Sequence, residues 1–251
     1  MKVGWLPAAI VGAGLVFAAS ADAAELKVLC SNGLRAVMID LAPQFERATG
    51  HKLTVTYGLA AAFKQQVDAG EPFDVVVVTP ALLDGMVKQG KVTDADRAVI
   101  ARAGIGVAVR AGAAKPDLSD TNAFKATLRN AKSIAYANAG QSGTYFAGLV
   151  ERLGLADELK AKMRPQPTGV EVGNAVSSGE VELAVLPISE IMPVTGAEVA
   201  GTLPAELQSY VVMAAGVGAG AKDHVAAAEL VKFLKAPEHA PLIKQKGMEP
   251  G

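Results

Sequence analysis

Cysteine is all but absent: Cys30 stands alone, so the chain can form no intramolecular disulfide. At 251 residues it is long enough to bury an adequate core without one. A lone cysteine closing the apolar run Leu26–Cys30 reads as a small buried hydrophobe. Nothing beside it supplies the partners that a nucleophilic or redox thiol requires. Aromatic residues make up only 5% of the chain and the one tryptophan, Trp5, lies near its start, which weakens any sugar-stacking role. Neither sign of charge dominates, with 24 Lys and Arg against 25 Asp and Glu. That balance leaves no footprint for an anionic membrane surface or for nucleic acid, and no nucleic-acid partner is expected. Catalytic signatures are missing too. There is no Gly-x-Ser-x-Gly elbow, no His-Glu-x-x-His and no cysteine set for zinc, and Gly140–Gly143 lacks the lysine and spacing of a Walker loop. His51, His224 and His239 stand among charged residues in what read as exposed helix ends or loops. These absences argue against an enzyme, and neither a metal nor a cofactor is expected.

What is present begins with a leader. Met1-Lys2 is a short positive start, Leu6–Ala19 is apolar apart from Pro7 and glycines, and Ser20–Ala24 offers small residues for cleavage. This is the form of a secretory signal peptide over residues 1–24, cut after Ala23 or Ala24. A membrane anchor is the rival reading, but the stretch is short for a span of about 20 residues and has no stop-transfer flank. Lipidation at Cys30 is disfavoured by the charged approach Glu25–Leu29. No later run is apolar enough to span a bilayer, so a soluble protein exported to the periplasm is expected. About 225 residues remain after cleavage, enough for one large or two moderate domains.

Strand-like and helix-like segments alternate along that remainder. Leu26–Cys30 stops at a polar corner, Ser31-Asn32-Gly33, and Leu34, Val37, Met38, Leu41 and Phe45 then recur at helical spacing. Strands are expected at 53–57, 73–78, 105–109, 133–137, 181–186 and 209–216. Helices are expected at 60–69, 81–89, around 146–153, and at 156–163, 168–178, 221–235 and 237–246. Phe73–Val78 is the near-continuous apolar run of a sheet covered on both faces, and 111–121, rich in Gly, Pro, Asp and Ser, marks a boundary. The rhythm predicts an α/β protein. Polar turns fall where strands hand over to helices, which is where open α/β sheets bind ligands.

Ser31, Asn32 and Gly33 offer a hydroxyl, an amide and backbone N–H groups to a ligand; alternatively Ser31 or Asn32 caps the helix. In the turn Asn138–Thr144, Gly143 permits close approach and Ser142 and Thr144 flank it, again with capping as the alternative. Thr168-Gly169-Val170 leaves the Gly169 and Val170 amides for a ligand if Thr168 and Glu171 satisfy each other as a capping box. Thr79 is either an N-cap or a contact. Asp74 reads as structural, and Glu190, which would repel an anion, is expected to point away.

Together with Ala48–Gly50, Gln65–Val75, Gly140–Leu155 and Phe233–Pro237, the Ser31 corner makes nearly the whole mature chain resemble the solute-binding proteins of ABC importers, and among them the periplasmic molybdate-binding group. The resemblance implies a type II periplasmic-binding-protein fold: two α/β lobes, each a mostly parallel sheet flanked by helices, joined by two crossover hinge strands near Ile105–Val109 and Tyr210–Ala214. Lobe I would comprise 25–107 plus 211–251 and lobe II 108–210. Ligand would be trapped between them, in a monomer that docks on an inner-membrane ABC permease. In the molybdate group, serine hydroxyls, backbone amides and a tyrosine hold the oxyanion. Ser31 matches the first serine, Ser142 and Gly143 lie in one amide turn, and Gly169 or Val170 matches another amide. The second serine falls at Ala60 or Ala61 and the tyrosine at Leu186, so both hydroxyls are missing. The implied ligand is a small anion, with molybdate or tungstate the leading candidate and a small carboxylate or phosphonate the alternative. An exported sensor subunit is the alternative to a transport receptor.

Overall fold

The structure is a computed structural model that describes Met1 and residues 23–251, so the expected leader lies, but for its ends, outside the described residues. The chain opens with β1 (Glu25–Ser31), α1 (Arg35–Thr49), β2 (Lys52–Gly58), α2 (Ala60–Asp68), β3 (Val75–Val78), α3 (Pro80–Lys88) and the long β4 (Val92–Arg110). It continues through α4 (Thr121–Asn130), β5 (Ile134–Ala137), α5 (Gln141–Arg152), α6 (Ala156–Leu159), β6 (Met163–Gln166), α7 (Gly169–Ser178), β7 (Leu183–Pro187), α8 (Ile188–Ile191) and β8 (Ala197–Thr202). It ends with β9 (Tyr210–Gly218), α9 (His224–Leu234), α10 (Ala240–Gln245) and β10 (Glu249–Pro250).

The strands run in the order β2-β1-β3-β9-β4-β7-β5-β6. β2, β1 and β3 are parallel at one end, and β7, β5 and β6 are parallel at the other. β9 and β4 lie between them and pair antiparallel. This is the expected two-lobe mixed α/β arrangement. β4 belongs to both halves: it pairs with β9 as far as Gly104 and with β7 from Ile105. The return crossing does not lie within Tyr210–Ala214. β9 pairs only with β3 and the first part of β4, so the chain crosses earlier, between Leu203 and Ser209. There Ile105 is clamped. Its N–H donates to Ser209 O at 3.2 Å and to Gln208 Oε1 at 2.9 Å, and its carbonyl accepts from Leu203 N–H at 3.1 Å and Gln208 Nε2 at 3.0 Å.

Several elements were not expected from the sequence. Val92–Gly104 is broken by Asp94, Asp96 and Arg97 and has only the short apolar run Ala98–Ala101, and backbone pairing to β9 makes it a strand. α4 buries only Phe124 and Leu128, and its start is set by Asp120, which accepts from the Asn122 and Ala123 N–H groups. β6 and β8 each pair with a single neighbour and carry little apolar surface. The expected helix 156–163 ends at Leu159, because Met163 is drawn into β6 beside Ile134. His51 and His239 are buried rather than exposed. His51 Nδ1 accepts from Ala24 N–H at 3.0 Å while its ring packs on Phe45, and His239 packs on Phe233 with ring centroids 4.4 Å apart. Asp74 is structural as read: its carboxylate accepts from Lys27 N–H at 2.7 Å and Lys222 N–H at 2.9 Å. Cys30 is a free, fully buried thiol whose pKa is pushed far above the usual range by burial.

Helix α5 packs tightly on the end of β5 at Gly143. A Cβ there would lie 1.7 Å from the carbonyl oxygen of Ala137, against backbone that cannot yield. Overpacking of this kind costs about 1–3 kcal/mol or more. Gly143→Ala is expected to lose at least about 2 kcal/mol in urea unfolding. Gly148→Ala on the same helix, where the nearest atom is the mobile end of Arg152 at 3.5 Å, is expected to be neutral or stabilising by up to about 1 kcal/mol. Equal effects at the two positions would contradict this account of the packing.

Candidate ligand-binding site

Each strand end near the interlobe boundary turns directly into a helix start, and several of these starts face one space. β1 ends at Ser31, and a single 3₁₀ turn, Asn32–Leu34, leads into α1. Neither polar residue caps that turn with its side chain: the cap bond runs from Arg35 N–H to Asn32 O. The Ser31 hydroxyl, on a residue only 6% exposed, is therefore free for a ligand. Thr79 opens α3 through its carbonyl, which accepts from Leu83 N–H at 3.0 Å, and its side chain makes no capping bond. Ala60 begins α2 without a side-chain cap.

From the opposite lobe, Gly140 takes φ of 107°, a conformation suited to glycine, and throws the chain from β5 into α5. Ser142, 7% exposed, lies in the first turn with no capping bond. Gly169 begins α7 behind Thr168, whose hydroxyl accepts from Val170 N–H at 3.2 Å and also contacts the Glu171 carboxylate.

These starts enclose a cavity of about 60 Å³ lined by Ser31, Asn32, Gly33, Ala60, Thr79, Ser142 and Gly169 from the expected set. The remaining expected residues do not line it. Gly143 faces the Ala137 carbonyl, where its role is packing. Thr144 bonds back to Gly140 O through its hydroxyl at 2.9 Å. The Val170 amide is taken by Thr168 and its side chain is 51% exposed. Ala61 is on the exposed face of α2. Leu186, at the expected tyrosine position, is a buried core residue and brings no hydroxyl.

Residues missed from the sequence also line the cavity. Leu59, Ala137, Val211 and Met213 give it an apolar wall, and Met213 Cε lies 3.0 Å from where a Gly33 Cβ would be. Gln141 reaches across to donate to Tyr210 O at 3.2 Å. No Lys, Arg or His is in the lining.

Glu190 corrects the expectation that it points away. α8 carries it from the end of β7 into the cavity, with its carboxylate against Gly169. A Cβ on Gly169 would collide with Glu190 Oε2, so only glycine leaves it this seat. The carboxylate has no hydrogen-bond or ion-pair partner among the described residues, and burial pushes its pKa up to about 7. Its place directly after a strand end was visible in the sequence, but the repulsion argument assumed an ionised acid. The lobes touch here as well, with Ser189 Oγ donating to Gly33 O at 3.4 Å.

With this geometry established, comparison with known proteins gives a family. The model of bacterial extracellular solute-binding proteins matches residues 26–249. The chain belongs to that family. It is 32% identical to an aconitate isomerase of a Pseudomonas species over 98% of this chain and 97% of that protein. It is 30% identical to a molybdate-binding protein of Azotobacter vinelandii over 94% of each. The solved structure of the periplasmic molybdate-binding protein of A. vinelandii superposes with a TM-score of 0.76 over 90% of this chain and 99% of that one, at 21% identity. Among the described residues of this solute-binding protein, no helix is long and apolar enough to cross a membrane, and no cluster of His, Cys, Asp and Glu is arranged to hold a metal.

Glu190 has a consequence for stability. Its folded pKa of about 7 lies above the ordinary 4.5. The folded protein therefore keeps a proton that the unfolded chain releases as pH rises from about 4.5 to 7. Stability falls through that window by up to about 3 kcal/mol and levels off above it. Glu190→Gln is expected to raise the melting temperature of the ligand-free protein more at pH 8 than at pH 5. Equal shifts at the two pH values would contradict the desolvated, unpartnered state of this half-buried carboxyl.

Proposed function

We propose that this solute-binding protein captures a small organic anion through a carboxylate in the interlobe cleft, and delivers it from the periplasm to an ABC permease. The observation that carries this reading is the convergence of helix starts from both lobes around the free, buried hydroxyls of Ser31 and Ser142. Amide and hydroxyl dipoles stabilise an anion without a cation in contact. The lining favours a carboxylate over a tetrahedral oxyanion. By the resemblance to the molybdate group, the missing hydroxyls fall at Ala60 or Ala61 and at Leu186, and the wall of Leu59, Val211 and Met213 suits carbon. A site built for hydrogen bonds discriminates sharply when those bonds are lost. Glu190, protonated near neutrality, can donate to a carboxylate, whereas its ionised form would repel one.

Catalysis is a second reading, favoured by the same residue and by the aconitate isomerase among the relatives. An unpartnered acid with pKa near 7 suits a proton shuttle. Glu190 would take a proton from a carbon of the bound acid and return it to another, shifting the double bond with no other reactant. Proton NMR of either aconitate isomer with the protein in deuterated water separates the readings: a receptor alone leaves the isomer and its C–H signals unchanged.

Thermal-shift screening tests the main proposal against small carboxylates, molybdate, tungstate, sulfate, phosphate and phosphonates. A ligand at about 100 times its Kd adds about 2.7 kcal/mol. A carboxylate is expected to give the largest shift, and Ser31→Ala or Ser142→Ala to weaken it by about tenfold or more, since a hydrogen bond to a charged group contributes about 1.5–3 kcal/mol. A shift with molybdate alone, or with a neutral sugar alone, would overturn the carboxylate assignment.

A further inference from the structure

We infer that Arg35 forms a second anion subsite beside the inner cavity, so that the ligand is a di- or tricarboxylate held at both ends. The inference rests on the reading of the cleft as a carboxylate site and adds the ligand's charge and length. A depression of about 430 Å³ adjoins the inner cavity, and Asn32, Gly169 and Glu190 line both. Arg35, in the first turn of α1, is the one cationic residue in either lining.

Among the described residues, Arg35 forms no ion pair. Its guanidinium lies 5.0 Å from the centre of the Tyr57 ring. Stacking of this kind orients the plane while leaving its N–H edge available for a bidentate contact to a carboxylate. Arg35 does not neutralise Glu190 either, since burial alone accounts for the shifted acidity of that residue. The cleft therefore holds an uncommitted positive charge at its outer end and only neutral donors and one weak acid at its inner end.

The spacing suits a short carbon chain. Ser31 and Arg35 are four positions apart across a 3₁₀ turn and the start of an α-helix, a rise on the order of 6–8 Å. Exposed Ile39, one turn beyond Arg35 on α1, and Val170 flank the outer depression with apolar surface. A monocarboxylate would fill only the inner subsite and leave Arg35 unused.

Isothermal titration with butyrate, succinate and tricarballylate, on the wild-type protein and on Arg35→Gln, tests this. Succinate or tricarballylate is expected to bind wild type at least tenfold more tightly than butyrate. Arg35→Gln is expected to remove most of that advantage while leaving butyrate affinity within about twofold. Arg35 is exposed, so circular dichroism should report an unchanged fold; the wild-type series alone decides the question should the variant misfold. Equal affinities across the wild-type series, or an Arg35→Gln protein that keeps the full preference, would overturn the second subsite while leaving the inner carboxylate site standing. Binding of molybdate or sulfate with no response to any carboxylate would overturn both.

Discussion

Backbone N–H groups at the start of a helix have no partner within it, and a folded protein must satisfy them with side chains, water or ligand. Here that requirement is met locally at α4 and α9, where Asp120 and Asp223 cap the first turns. It is met only in part at the cleft. α1, α2, α3 and α5 all begin there without a side-chain cap, and α7 has one. Uncapped starts occur elsewhere too, at α6 and α10, but those of α2, α3 and α5 converge on the cavity together with two buried serine hydroxyls. A set of donors converging from two lobes makes a seat suited to the anion proposed above.

The lobes are coupled through β4 and the Leu203–Ser209 segment. β4 changes partners within one residue, and Gln208 closes both backbone groups of Ile105 at that switch. The contacts that bring the cleft walls together are fewer and weaker: Ser189 to Gly33 at 3.4 Å and Gln141 to Tyr210 at 3.2 Å. Well-bonded crossings beside thin contacts across the mouth suit a molecule that opens by bending at the crossings, with ligand adding most of the closing interaction. Glu190 sits on the short α8 at this boundary.

The fold was largely legible because the α/β alternation is carried by local patterns: buried strands such as Val75–Val78, helix starts at Pro80 and Thr168, and glycine stops at Gly50 and Gly90. The remaining elements carry only weak local patterns. The first half of β4 is a strand because β9 pairs with it, and α4 has too few apolar residues to stand out. The site was partly legible for the same reason. Ser31, Thr79, Ser142 and Gly169 follow from the rule that strand ends face the ligand. Helix phase then decides that Ser142 faces the cavity while Thr144 turns back on Gly140. Glu190 was misjudged because its charge was taken as fixed, whereas burial makes the neutral form accessible near pH 7.

The most direct test of a carboxylate held by the two serine hydroxyls and the helix starts is a crystal structure of the protein grown with succinate at saturating concentration. The account predicts one carboxylate with oxygens at hydrogen-bond distance, about 2.5–3.2 Å, from both Ser31 Oγ and Ser142 Oγ. A succinate bound elsewhere, or a closed cleft holding only water at that concentration, would contradict it.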